Sequence, residues 1–208
     1  MHIRRMSPSA DLHAFLRSRR SIRRLLPGAV SDLALERILA TATFAPSAHN
    51  RQPWRFAVLT RNSSKGALAD AMAERFRADL ESDGQPEDQV QARVERSRAR
   101  IASAPIVIIL CVDVSEMDQY PDASRTQAER TMAIQSTANA GMMLLLGIHA
   151  EGLGGVWSCA PLFAPEVVRS VLGLPDSWEP QALLMAGRIG DAPQAPPRKT
   201  LVEVSVFV

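Results

Sequence analysis

"PIVIILCV", residues 105–112, is the stretch whose reading decides the fold. Five of its eight residues are β-branched, and no polar residue interrupts it. A run this short and this apolar reads as a strand covered on both faces, because a strand with one wet face alternates apolar and polar residues. Such a strand needs helices on either side. To its C-terminal side, residues 124–151 read as one long helix, with Ser124 and Gln127 spaced as a capping box. The segment "AIQSTANAGMMLLLGIHA" inside it is apolar or small nearly all round, so this helix is expected to be buried on several sides. To the N-terminal side, Leu68, Met72, Phe76 and Leu80 mark another helix. Residues 81–100 are almost wholly polar, with Val90 and Val94 the main apolar points, and read as a solvated helix or a lid.

Farther out the pattern continues. Leu12, Phe15 and Leu16 place a short helix before the arginine-rich stretch. Leu35, Ile38, Leu39 and Ala42 place a second over residues 31–45, with Ser31 as N-cap and Pro46 as its stop. "WRFAVLT" and "QALLMAGRIG" read as strands, and "GLGGVWS" breaks the long helix and starts another. "APEVVRSVLGL" is a short helix with Pro165 in its first turn. A Pro-rich link, "DAPQAPPRK", leads to a terminal alternating strand, "TLVEVSVFV". Strands and helices mix without regular βαβ alternation, which predicts a mostly antiparallel α+β sandwich over a single domain, residues 1–208.

Composition narrows the function classes. Net charge is +2, so any anion site must be a local cluster. Lys65 and Lys199 are the only lysines among 24 basic residues, so arginine carries the positive charge. Ten aromatic residues and dispersed acidic ones argue against a nucleic-acid binder. Two cysteines, Cys111 and Cys159, are too few for a disulfide framework and point to a reducing compartment. The N-terminus "MHIRRMSPSADL" has no apolar run of the signal-peptide kind, and no apolar stretch reaches the ~20 residues of a membrane span. A cytoplasmic enzyme that does not engage membranes is expected. No phosphate-loop or dinucleotide fingerprint occurs; "GLGG" lacks the required spacing.

Two stretches carry chemistry. In "LRSRRSIRRL", Arg19, Ser21 and Arg23 are spaced by two, so in an extended segment they share a side and could receive a phosphate between two guanidinium forks. A solvated basic turn accounts for the same residues. Arg198 and Lys199, in "PPRK", could close the same pocket or cap a loop. In "APSAHNRQPWRF", residues 45–56, short side chains after a helix stop let a planar ligand approach the backbone. Ser47 and Asn50 there offer hydrogen bonds to a heterocycle edge. Trp54 reads as core, and His49 as a hydrogen-bonding or rim residue.

"RRSIRR", "APSAHNRQPW", "GLGGVWS" and "PPRK", in that order, resemble the FMN-dependent nitroreductase superfamily. "YPDASRTQAERTM" and "LPDSWEP" further resemble the C-terminal flavin reductase domain of the actinobacterial glutamate ligase that finishes the deazaflavin coenzyme F-420. The resemblance implies a nitroreductase-like sandwich and a homodimer with FMN in a cleft between subunits. It implies that Arg19, Arg20, Ser21, Arg23 and Arg198 hold the phosphate and ribityl tail. Ser47, Asn50, Trp157, Ser158 and Cys159 would lie along the ring, with Met132 and Asp79 on the substrate side. Hydride chemistry would take place at flavin N5, with no obligatory catalytic side chain and Arg23 facing the N1 and O2 edge. NAD(P)H or a reduced deazaflavin would be the donor. The acceptor would be a conjugated small molecule such as a dehydro precursor of the deazaflavin coenzyme, or a nitro or quinone compound. The Pro-rich link could carry the terminal strand onto a partner's sheet. A flavin-binding module without turnover is the reading of another class.

Overall fold

A computed structural model describes residues 8–208; residues 1–7, part of the N-terminus read above for a signal peptide, lie outside it. The helices are α1 (Pro8–Ser18), α2 (Asp32–Ala42), α3 (Asn62–Ser82), α4 (Glu87–Ser103), α5 (Ala123–Ala150), α6 (Pro165–Leu172) and α7 (Leu201–Val204). The strands are β1 (Leu25–Leu26), β2 (Trp54–Leu59), β3 (Ile106–Asp113), β4 (Gly154–Ser158) and β5 (Trp178–Ile189). They form one sheet in the order β1-β5-β3-β2, with β4 also paired to β5, and every strand pair is antiparallel. The expected α+β architecture is therefore present.

The double burial of residues 106–112 has a simple cause. β3 is central, between β2 and β5, and its side chains alternate between two cores. Ile106, Ile108 and Leu110 pack with Ile38 of α2 and Leu144 and Ile148 of α5. Val107, Ile109 and Cys111 pack with Leu68 and Met72 of α3 and Val168 of α6. Helices thus cover both faces of residues 106–112, and the first polar residue, Asp113 at the end of β3, is buried with partners of its own, accepting from Ser115 and Ser177.

Three local expectations change. The N-cap of α5 is Asp122, whose side chain accepts from the backbone N–H of Arg125, not Ser124 with Gln127; a carboxylate there also complements the helix dipole. Residues 81–100 divide between the end of α3 and α4, and α4 packs on α3 through buried Val90, Val94 and Ile101. The terminal residues form no strand: α7 is a single turn, closed by reciprocal Thr200–Glu203 bonds, and Ser205 onward is irregular. Alternation alone does not make a strand. It needs a sheet edge, and among the described residues no edge pairs with this segment. Val202, Val206 and Phe207 are 85–93% exposed as a result.

Lys65 is 3% exposed, and its ammonium donates to the carbonyls of Ala104 (2.6 Å) and Pro105 (3.2 Å), tying α3 to the start of β3. Burial lowers its pKa. On α5, Arg130 grips Glu179 of β5 with two hydrogen bonds of 2.7 and 2.5 Å. These bonds hold the Glu179 carboxyl below its ordinary pKa, against the effect of burial. A lowered folded pKa contributes stability above the ordinary glutamate range, lost as pH falls through the lowered value. Both side chains are roughly one-third exposed, so Glu179→Gln should cost only ~0.5–1 kcal/mol at pH 7. In urea melts across pH that gap should close under acid conditions; a gap constant with pH would refute the assignment.

Candidate cofactor site

The arginine-rich segment is fastened by the one apolar residue inside it. Ile22 is 4% exposed, and its N–H donates to Gly155 O at 2.9 Å. Gly154 makes this close approach possible, since a Cβ there would lie 2.8 Å from Ile22 Cγ2. Ser21 bridges in parallel to Gly155. The charged neighbours of Ile22 are held at the surface as a consequence.

Arg19 is the unusual member. Its Nη1 is buried and has no hydrogen-bond partner among the described residues. Burial first, then the charges of Arg198 and Arg20, push its pKa below the ordinary arginine value. Arg17, Arg19, Arg20 and Arg198 line one cleft of about 370 Å³, floored by Met142 of α5 and Pro196. Arg20 is steadied by donating to the carbonyls of Arg17 (2.6 Å) and Arg19 (2.9 Å). Four cations, one with an orphaned buried donor, are held together at a cost in repulsion and desolvation that an anion would offset. The residues fit a phosphate group.

Arg23 does not share that cleft. It lines another of about 270 Å³, with Arg24, Arg96 and Arg100. Spacing by two does not put Arg19 and Arg23 in one cup, because the segment is anchored at Ser21 and Ile22 between them. Arg96 and Arg100 do not stand out in the sequence as neighbours of Arg23. They sit one helical turn apart on α4, a spacing equally common on solvated faces.

The loop after α2 forms a third feature. Its Ala48 N–H donates to Ser136 Oγ of α5 at 3.1 Å, and Gln52 N–H donates to Ser47 Oγ at 3.2 Å. His49, Asn50 and Gln52 all have φ near +50°, a conformation costly for side-chain-bearing residues. Ser47 lines a cleft of about 310 Å³ with Met132, Gln135 and Asn139 of α5. Asp79 lies elsewhere, bonded to Arg75 at 2.9 Å beside a groove of about 350 Å³ between α3, α4 and Phe163. The two expected substrate-side residues, Met132 and Asp79, thus line different cavities.

At the end of β4, Trp157 Nε1 donates to Cys159 Sγ at 3.1 Å. Cys159 is exposed, whereas Cys111 is buried on β3 and burial pushes its thiol pKa to about 12. One thiol per native chain should react with a disulfide reagent at pH 8, and two after unfolding. Two fast thiols in the native protein would contradict this packing.

The chain is thus an α+β sandwich with a cleft lined by four arginines. Residues 16–188 match the Nitroreductase family, and the chain belongs to it, within the class of FMN-dependent oxidoreductases. A "NADH dehydrogenase" from Thermus thermophilus is 29% identical over 86% of this chain and 87% of its own length. A "5,6-dimethylbenzimidazole synthase" from Rhodospirillum rubrum is 27% identical over 85% of this chain and 81% of its own. Among solved structures, a BluB-like flavoprotein from Clostridium difficile 630 shares the fold with a TM-score of 0.78 and 22% identity, covering 95% of this chain and 98% of the other. Among the described residues, no helix is long and apolar enough to cross a membrane.

Proposed function

We propose that this chain works as a homodimeric FMN-dependent reductase. It would take a hydride from NAD(P)H and deliver a hydride and a proton to a conjugated organic acceptor. The balance is NAD(P)H + H⁺ + acceptor → NAD(P)⁺ + reduced acceptor. The observation that carries the reading is the orphaned, buried Nη1 of Arg19 beside Arg198. When bound, FMN supplies the two-electron chemistry at its N5 atom. The chain's own residues hold the tail and orient the ring.

Arg19, Arg20 and Arg198 would take the phosphate, with Ser21 donating from the anchored segment. Arg23, with Arg96 and Arg100, would place positive charge where negative charge develops on the ring. Trp157, Ser158 and Cys159 would line the ring's path at the end of β4. Ser47 and Asn50 stand in a loop whose cleft is separate from the arginine cleft, although both clefts open on α5. A second copy laid against the exposed face of α5 would bring the loop of one subunit to the cations of the other. Exposed Phe44, Met142 and the apolar tail are the surfaces such a partner would cover. In that arrangement Val202, Val204 and Val206 could find the sheet edge they lack within one chain.

The nicotinamide donor is favoured by the name of the Thermus relative. For the acceptor, the likeness of residues 120–132 and 174–180 to the ligase's reductase domain favours a dehydro precursor of the deazaflavin coenzyme, with reduced deazaflavin as an alternative donor. Nitro and quinone compounds are the other acceptor class. The deciding experiment is the absorption spectrum of purified protein, followed by anaerobic reduction with NADH, NADPH or reduced deazaflavin and reoxidation by each acceptor. Yellow protein, bleached by one donor and restored by one acceptor, is the expected result. A colourless protein that does not take up added FMN would end this reading; a yellow one that no donor bleaches would mark a binding module instead.

A further inference from the structure

Away from the arginine cleft, three segments distant in sequence bring metal-ligating side chains together. His49 comes from the loop after α2, Asp118 from the link between β3 and α5, and Glu129 from the second turn of α5. One ligand atom from each lies within 4.8 Å of the other two. Donors bound at ~2.0–2.2 Å around one tetrahedral ion stand roughly 3.4 Å apart, so small side-chain rotations would complete the set.

The independent observation is Glu129. It is 5% exposed, and its Oε2 is buried with no hydrogen-bond partner among the described residues. A carboxylate buried without a partner is expensive. The nearby guanidinium of Arg51 is already committed to Asp118. Among the described residues Glu129 has no ion pair, which leaves its carboxyl without a cationic neighbour to match that of Asp118. A divalent cation would remove the deficit and use the orphaned oxygen.

We propose that His49, Asp118 and Glu129 form a site for one divalent transition-metal ion, Zn²⁺ best among those without redox chemistry. An imidazole with two carboxylates suits Zn²⁺ and its neighbours in the transition series, whereas Mg²⁺ and Ca²⁺ prefer oxygen shells of six or more. Three protein ligands leave a fourth position for water. The role that follows is positional. The ion would tie the left-handed loop of His49 and Asn50 to α5, one turn before Met132, and so steady one wall of the cleft that holds Ser47. It stands independently of the flavin reading.

Titration calorimetry of chelator-washed full-length protein with ZnCl₂ tests it. The expected result is one site per chain, with affinity at least ~10-fold weaker in both His49→Ala and Glu129→Gln and unchanged in His13→Ala, a histidine on α1. Millimolar Mg²⁺ should not compete. Zn²⁺ should also raise the melting temperature of the wild type and not of His49→Ala; His49 is exposed, so that variant is expected to fold even if Glu129→Gln does not. No wild-type binding, or His49→Ala binding like wild type, overturns the proposal. Glu129→Gln melting like the wild type, with no Zn²⁺ bound by either, would likewise overturn it.

Discussion

Arg19→Ala should purify folded and without flavin, its affinity for FMN lowered by roughly 30-fold or more. The substitution removes a charged fork whose Nη1 is buried in the arginine cleft. Truncating one partner of a buried, hydrogen-bonded charge pair costs 2–5 kcal/mol, roughly 30- to several-thousand-fold in binding. The fold should not suffer. Arg19 lacks a partner at Nη1 and is repelled by Arg198 and Arg20, so its removal relieves strain in the empty protein. Its melting temperature without flavin should therefore equal or exceed that of the wild-type apoprotein. Arg19→Lys should fall between, since an ammonium supplies charge without the fork. Flavin content of the purified protein and a fluorescence titration of the apoprotein measure this. Full flavin occupancy in Arg19→Ala would show that the phosphate lies elsewhere.

The second large effect is on stability. Gly141 lies on the inner face of α5, where a Cβ would stand 2.2 Å from Trp157 Cζ3 and 2.7 Å from Leu110 Cδ2. Gly141→Ala sets two effects against each other. Alanine gains ~1 kcal/mol of helix propensity over glycine. The methyl group, however, must displace an indole on β4 and a leucine on the central strand, and overpacking of this kind costs ~1–3 kcal/mol, occasionally more. At 2.2 Å from a ring carbon the clash wins. We expect net destabilisation of ~1–2 kcal/mol, a fall of roughly 2–8 °C in melting temperature for a chain of this size. Because Trp157 bonds Cys159 through its indole N–H, the tryptophan emission and the reactivity of the Cys159 thiol should change together. An unchanged or raised melting temperature would mean that α5 sits farther from the sheet than described.

The two predictions probe opposite kinds of legibility. Arg19 was a candidate from its motif, yet nothing in "RRSIRR" says that one guanidinium nitrogen would be buried without an acceptor. That depends on the return of residues 195–198 to the same place, a contact across nearly the whole chain. Gly141 was unremarkable in sequence, one small residue among many on a helix, and only the nearness of Trp157 gives it meaning. Arg96 and Arg100 failed for the same reason. A basic helical face looks alike whether it meets water or a second cationic segment such as Arg23 and Arg24. The cap of α5 reads as Ser124 in the sequence and falls on Asp122 because the helix starts at Ala123, a boundary that the residue pattern does not fix to within two positions.

What the chain's own order of residues determined was the alternation of elements and the central place of residues 106–112, because hydrophobic burial is read directly from composition and period. It also gathered five arginines into residues 17–24, the densest cluster of positive charge in a nearly neutral chain. Only the tertiary structure decided which of those arginines share a cleft, because an anchoring contact such as Ile22 on Gly155 sets side-chain direction. It also decided that the terminal apolar residues form no strand within the chain. A strand is a property of pairing, and the partner lies outside the segment's own sequence.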